Sequence, residues 1–186
     1  MEVITEKDIL QIIKNDSWMM KILEAVRDLD LPDCWIGAGF VRSKVWDYLH
    51  GYTERTPLPD IDVVYFDPQD TKPEKTEQKI TATLHEDFPT LDFEVLNQSR
   101  THLWHNDKPY RDATEALSKW VETATCVGVR LNKNNELELT APLGIDDLVQ
   151  LIVRQNPTIL QDNALFMRRI KGKSWQKLWP NLTIIS

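Results

Sequence analysis

Asp60 and Asp62 bracket a single isoleucine at the head of the run PDIDVVYFD, and that spacing is the first place where the chain carries legible chemistry. On a strand, residues i and i+2 share a face, about 7 Å apart at the backbone. Two like charges that close destabilise each other unless positive charge lies between them, and a divalent cation is the simplest candidate. Magnesium, or manganese in its place, prefers carboxylate, water and phosphate oxygens, so the pair suits it. Glu94, within LDFEVLN, is flanked by Phe93 and Val95 that face the other way, and it completes a three-carboxylate set as metal ligand or base. Asp92, on the same face as Glu94, competes for that role, and Arg100 is an alternative partner for Glu94.

Upstream, Gly37-Ala38-Gly39 leads into a helix. Glycines there let backbone amides approach a phosphate, and the helix N-terminus adds a favourable field. The simpler alternative is a tight turn in which the glycines take positive φ. Arg42 and Ser43 fall in the same first turns, where Asp47 or a loop acid is one partner open to Arg42 and Ser43 is alternatively a plain polar first-turn residue. Gly37, Gly39, Arg42 and Ser43 form the expected nucleotide-binding set. Asn97, Arg100 and His102 are expected on the acceptor side, although a structural role for His102 is an equal alternative. A phosphate cradle beside metal-holding carboxylates is what nucleotidyl transfer requires, with the metal orienting the α-phosphate and neutralising pyrophosphate.

These residues need elements to position them. Thr5 with Asp8 resembles a capping box for a first helix, and Asn15-Asp16-Ser17 starts a second. Strands are expected at 34–37, 60–66 and 91–96, with a helix from about Phe40 to the stop at Gly51 and another over 73–86. QSRTHLWHN and DATEALSKW read as short helices, 125–131 and 136–140 as a hairpin, and 146–154 as a helix. The basic stretch around Arg168 to Lys177 reads as a solvated face, and the seven tryptophans as packing. The class is α/β (α+β), one domain over 1–186, with a catalytic core at about 30–140 and a helical C-terminal segment at about 145–186.

The 186 residues carry a net charge of −7 and a pI near 5.1. That argues against an extended nucleic-acid footprint, which needs a basic face. Cys34 and Cys126 lie far apart and read as reduced thiols, no apolar run approaches membrane-spanning length, and no leader opens the chain. The expected setting is cytoplasmic, as a monomer or small homo-oligomer.

IGAG, PDIDVVYFD and FEV resemble the pattern of the polymerase-beta-like nucleotidyltransferase superfamily: a glycine turn, a D-h-D strand start (h, apolar) and a later acid between apolar residues. GAGFVRSKVWDYLHG is similar to a stretch of the tRNA-terminus-adding enzymes, which implies a phosphate contact for Arg42. The closer likeness is to a bacterial family of small predicted nucleotidyltransferases carrying an N-Q-x-R-x-H-x-W segment, here NQSRTHLW, and it extends to PLGIDDL and WPNL. Two departures stand out. Ala38 occupies the place of the first glycine in many relatives, and Ser43 replaces an aspartate. The second, with the short acidic chain, argues against tRNA-terminus addition.

The resemblance implies a mixed sheet flanked by helices and a transfer of a nucleoside monophosphate from an NTP, ATP included, to a hydroxyl of a small molecule or protein. A slow or inactive nucleotide-binding regulator, or a toxin–antitoxin partner of the same fold, is the alternative. Nucleotide-sugar glycosyltransferases also use D-x-D, but there the motif closes an apolar strand, whereas here the apolar run follows it.

Overall fold

The computed structural model describes residues 4–159 and 163–185. Helix α1 (Glu6–Lys14) opens on the capping box, with Thr5 and Asp8 bonded reciprocally, and α2 (Ser17–Asp28) is capped by Asp16. There follow β1 (Trp35–Gly37), α3 (Gly39–Leu49), β2 (Ile61–Tyr65), α4 (Pro73–Asp87) and β3 (Phe93–Asn97). A single 3₁₀ turn leads to α5 (His102–His105) and α6 (Ala113–Leu117). A hairpin, β4 (Gly128–Leu131) and β5 (Leu137–Thr140), comes next. Last come α7 (Asp146–Val149), β6 (Ile152–Arg154), α8 (Asn163–Lys173), α9 (Trp175–Leu178) and β7 (Thr183–Ile185).

Five strands form one mixed sheet in the order β3-β2-β1-β4-β5. Only β2 and β3 run parallel within it, because α4 returns the chain between them. The two-residue strand period then sorts β2 by face. Ile61, Val63 and Tyr65 join Phe93, Val95 and the apolar stripes of α1–α4 in the main core. Val64, on the other face, packs with Trp35, Ala113 and Leu117. Asp62 lies between Ile61 and Val63, so it shares the Val64 face. Each fully buried Ile or Val contributes about 1.5–3 kcal/mol, so the core fixes which way Asp62 points.

The helix expected over 146–154 ends at Val149. Leu151 takes φ 59°, and residues 152–154 instead pair in parallel with β7. The segment expected as helical therefore also holds a small two-stranded sheet. Cys34 and Cys126 are free thiols, both pushed up to about 12 by burial. No helix among the described residues is long and apolar enough to cross a membrane.

Candidate active site

Asp62 and Glu94 are direct partners in the parallel β2–β3 register, one strand spacing of about 4.8 Å apart and on the same face. Asp60 stands just ahead of β2, its parity matching Asp62, while the next residue's N–H is tied to Asp92 O at 2.9 Å. Asp60, Asp62 and Glu94 line one cleft of about 630 Å³. Burial, then the neighbouring charges of Asp60 and Glu94, push the Asp62 carboxyl up to about 7, against the pull of Arg42 and Lys173. The cluster is thus short of positive charge. Among the described residues, no three Asp, Glu, His or Cys side chains converge closely enough to hold a metal ion as they stand. The all-carboxylate donor set and its charge deficit nonetheless fit a hard cation such as magnesium.

The other wall of the cleft is the β1–α3 turn. Positive φ falls on Ala38 (φ 41°, ψ −112°), not on Gly37 or Gly39 as the tight-turn alternative had it. The glycines answer to close packing instead. A Cβ at Gly37 would sit 2.8 Å from Trp120 Cη2, and one at Gly39 would sit 3.1 Å from Leu58 and 3.5 Å from Arg42 Nη2. The Ala38 N–H is spent on Val127 O at 3.0 Å, and no side chain caps α3. The first-turn N–H groups of α3 are the orphan donors of a helix start.

Arg42, only 8 % exposed, lies over the Trp46 ring at 5.1 Å and the Trp175 ring at 4.3 Å. Its Nε is buried without a hydrogen-bond partner among the described residues. Burial lowers its pKa to about 10, with Glu122 and Asp62 opposing the shift, so it stays cationic at neutral pH. The alternative partner Asp47 is engaged elsewhere. It accepts from the Thr56 N–H at 3.0 Å, from the Thr56 hydroxyl, and from Trp179 Nε1 at 2.8 Å. Ser43 is buried and lines the cleft.

Of the expected acceptor-side residues, none lines the cleft or the smaller cavity beyond it. By strand alternation Asn97 falls on the Val95 face. It is fully buried, its amide accepting from Asp67 N–H at 3.1 Å and donating to Asp67 O at 2.8 Å. Arg100 pairs with Glu77 at 2.6 Å and with Glu74, not with Glu94. The His102 ring meets Ser99 O at 3.0 Å and packs edge-on to Tyr110.

Sequence reasoning missed the cationic lining. Arg169 and Lys173, one helical turn apart on α8, line the cleft together with Lys119. Arg169 also holds the buried Glu122 at 2.5 Å. Their i, i+4 spacing in the basic run was the available signal, but nothing local ties α8 to the carboxylates.

A mixed sheet presenting paired acids opposite an uncapped helix start and a buried arginine defines a nucleotide-handling enzyme of the polymerase-beta-like type. The chain belongs to the nucleotidyltransferase family whose model matches residues 24–184. It is similar to a solved structure described as revealing a CCA-adding enzyme head domain: 33% identity, TM-score 0.83, covering 98% of this chain and 96% of that one. More distant likenesses, which show the fold alone, include the Thermotoga maritima CCA-adding enzyme complexed with tRNA (14% identity, TM-score 0.58). A CCA-adding enzyme with CTP is another (13% identity, TM-score 0.59). This chain covers 96% and 100% of itself in those matches but only 42% and 44% of those proteins. No curated protein matches the chain.

Proposed function

We propose that this nucleotidyltransferase moves a nucleoside monophosphate from an NTP to a hydroxyl of a small-molecule or protein acceptor, with a divalent metal held by Asp60, Asp62 and Glu94. The observation that carries this is one cleft with three carboxylates on one wall and, on another, a buried guanidinium whose Nε has no hydrogen-bond partner among the described residues. The Gly37–Gly39 turn, Arg42 and Ser43, with Arg169 and Lys173, receive the triphosphate. Arg42 needs no reorganisation to do so, because two indole rings already fix its plane.

A bound magnesium or manganese ion supplies charge neutralisation and lowers the pKa of the attacking hydroxyl. The residues position the rest. The acceptor oxygen forms the new bond to the α-phosphorus as the α–β bridging P–O bond breaks and pyrophosphate departs. The hydroxyl proton passes to a carboxylate of the cluster, and Glu94, the most exposed of the three, is the one with room to release it to solvent.

RNA ends remain the competing acceptor because one fold neighbour is described as complexed with tRNA. The net charge of −7 favours a smaller partner. The test incubates the protein with each of the four NTPs and magnesium or manganese, with small hydroxyl compounds, proteins or RNA as acceptors, following pyrophosphate and labelled product. Metal-dependent pyrophosphate release that Asp60→Asn and Asp62→Asn abolish is the expected result. Release from no combination, or release indifferent to these substitutions, overturns the reading and leaves a nucleotide-binding regulator.

A further inference from the structure

One acid in the cleft stands apart from the three that face a metal. Glu122 precedes a 3₁₀ turn over Thr123–Thr125 and is 1 % exposed, on the wall that also carries Arg42 and Arg169. Its backbone is fixed on two sides. The carbonyl accepts from the Thr125 N–H at 2.9 Å, and the residue bridges to Gln155. A carboxylate buried this far is costly unless it is paired.

The partner comes from 47 residues further on. Arg169, on α8, donates from Nε to Oε1 at 2.5 Å and from Nη2 to Oε2 at 3.4 Å. That uses one edge of the guanidinium. Nη1 makes no hydrogen bond among the described residues, and the Arg169 side chain is 40 % exposed where Glu122 is not. A guanidinium carries five donors in a rigid fork. One carboxylate can therefore hold its plane while the opposite edge serves a second anion.

Arg42 shares the same acid. Burial works against its charge, Glu122 is the first of the acids that support it, and Arg169 opposes it as a like charge. Two guanidiniums on one wall repel each other, and Glu122 lies in the field of both while bonding to Arg169. Two cations and one anion leave a net positive charge facing the cleft. A purely structural ion pair is the simpler alternative, but such a pair has no need of a cleft wall or of a guanidinium with one edge open.

We propose that Glu122 is a positioning residue of the triphosphate site. It holds Arg169 by the Nε edge so that the Nη1 edge meets a phosphate oxygen, and it lets Arg169 and Arg42 stand side by side. No ligand has to reach Glu122 for this. The role deepens the nucleotidyl-transfer reading and rests on it, and the test separates the two.

The full chain is titrated calorimetrically with a non-hydrolysable ATP analogue and magnesium, and the melting temperature of each variant is recorded. Arg169→Lys keeps the charge but replaces the fork by one ammonium, which Glu122 retains. It binds the analogue about ten-fold more weakly and melts within about 2 °C of the parent. Glu122→Asp keeps the charge and withdraws the carboxylate by one methylene, and it weakens the analogue about five-fold. Glu122→Gln loses the charge that reconciles the two arginines and weakens it as well. In an Arg169→Met background neither change at Glu122 lowers affinity further, because nothing is left for it to position. Arg169→Lys and Glu122→Asp leave an ion pair in place, so they decide the matter even where Arg169→Met does not fold.

Affinity equal to the parent's in Arg169→Lys or in either Glu122 variant overturns the role, whatever the melting temperature does, and leaves a structural ion pair. So does an equal loss on changing Glu122 in the parent and in the Arg169→Met background, since Glu122 would then act without Arg169. Tighter binding in Glu122→Gln overturns it too, and makes the acid a charge that repels the nucleotide. A parent that binds the analogue while every variant matches it overturns this role alone. A parent that binds no analogue overturns the nucleotide reading and this role with it.

Discussion

Asp62 concentrates the tension of the site in a single carboxyl. Burial and two neighbouring acids hold its pKa up at about 7, against about 3.9 for an ordinary aspartate. The native state therefore keeps a proton that the unfolded chain releases from about pH 4 upward. In metal-free buffer this group makes the protein less stable as pH rises through the window from about 4 to 7, and its cost is complete above it. Asp62→Asn removes the titration. At pH 8 without metal the variant should exceed the parent by of order 2 kcal/mol, or roughly 4–8 °C in a chain of this length. The gap should close below pH 4. Magnesium should raise the parent's melting temperature and leave the variant's unchanged. Differential scanning fluorimetry across pH, with and without magnesium, reads all three effects. A variant that melts below the parent at pH 8 would make Asp62 a structural aspartate.

At the scale of elements, the turn between β1 and α3 carries visible strain. Ala38, at φ 41° and ψ −112°, sits where only glycine is at ease, which costs of order 1–3 kcal/mol. Ala38→Gly should therefore move the urea midpoint upward by the equivalent of about 1 kcal/mol, after glycine's extra chain entropy is subtracted. A fall would show that the packing of the buried methyl outweighs the strain. That the strained residue is the alanine between two glycines was not legible, because the glycines are required by Trp120 and Leu58, which lie far along the chain.

Local pattern made other elements plain. The apolar alternation of IDVVY and FEVLN, with prolines between, gave β2, β3 and the crossover α4 nearly to the residue. Alternation along β3 instead turns Asn97 away from Glu94, against its expected place on the acceptor side. What local pattern does not carry is tertiary pairing: β6 exists because β7 arrives beside it, and Leu151 in a left-handed conformation interrupts an otherwise helical run.

Over the whole molecule, the C-terminal segment is locked onto the site by tryptophan. Trp46 meets Trp179 at 5.1 Å and Trp175 at 5.5 Å, both edge-on, and Trp175 also covers the Arg42 guanidinium. Trp175→Ala should cost about 3 kcal/mol as a buried large-to-small change. It should also weaken NTP binding, because Arg42 loses one of the two surfaces that orient it. Trp175→Phe should recover most of both. Urea denaturation and calorimetric titration with an ATP analogue separate the effects, and unchanged affinity in the alanine variant would detach Arg42 from the nucleotide. This joint also sets an order of events during biosynthesis. The carboxylates are in hand once Glu94 has left the ribosome, whereas the cations on α8 and the indole over Arg42 emerge only after Lys173 and Trp175. Domains form as their last required contacts are synthesised, so a nascent chain carries its repelling acids long before the positive wall that faces them. Competence to hold a nucleotide arrives only after Lys173 and Trp175 have been translated.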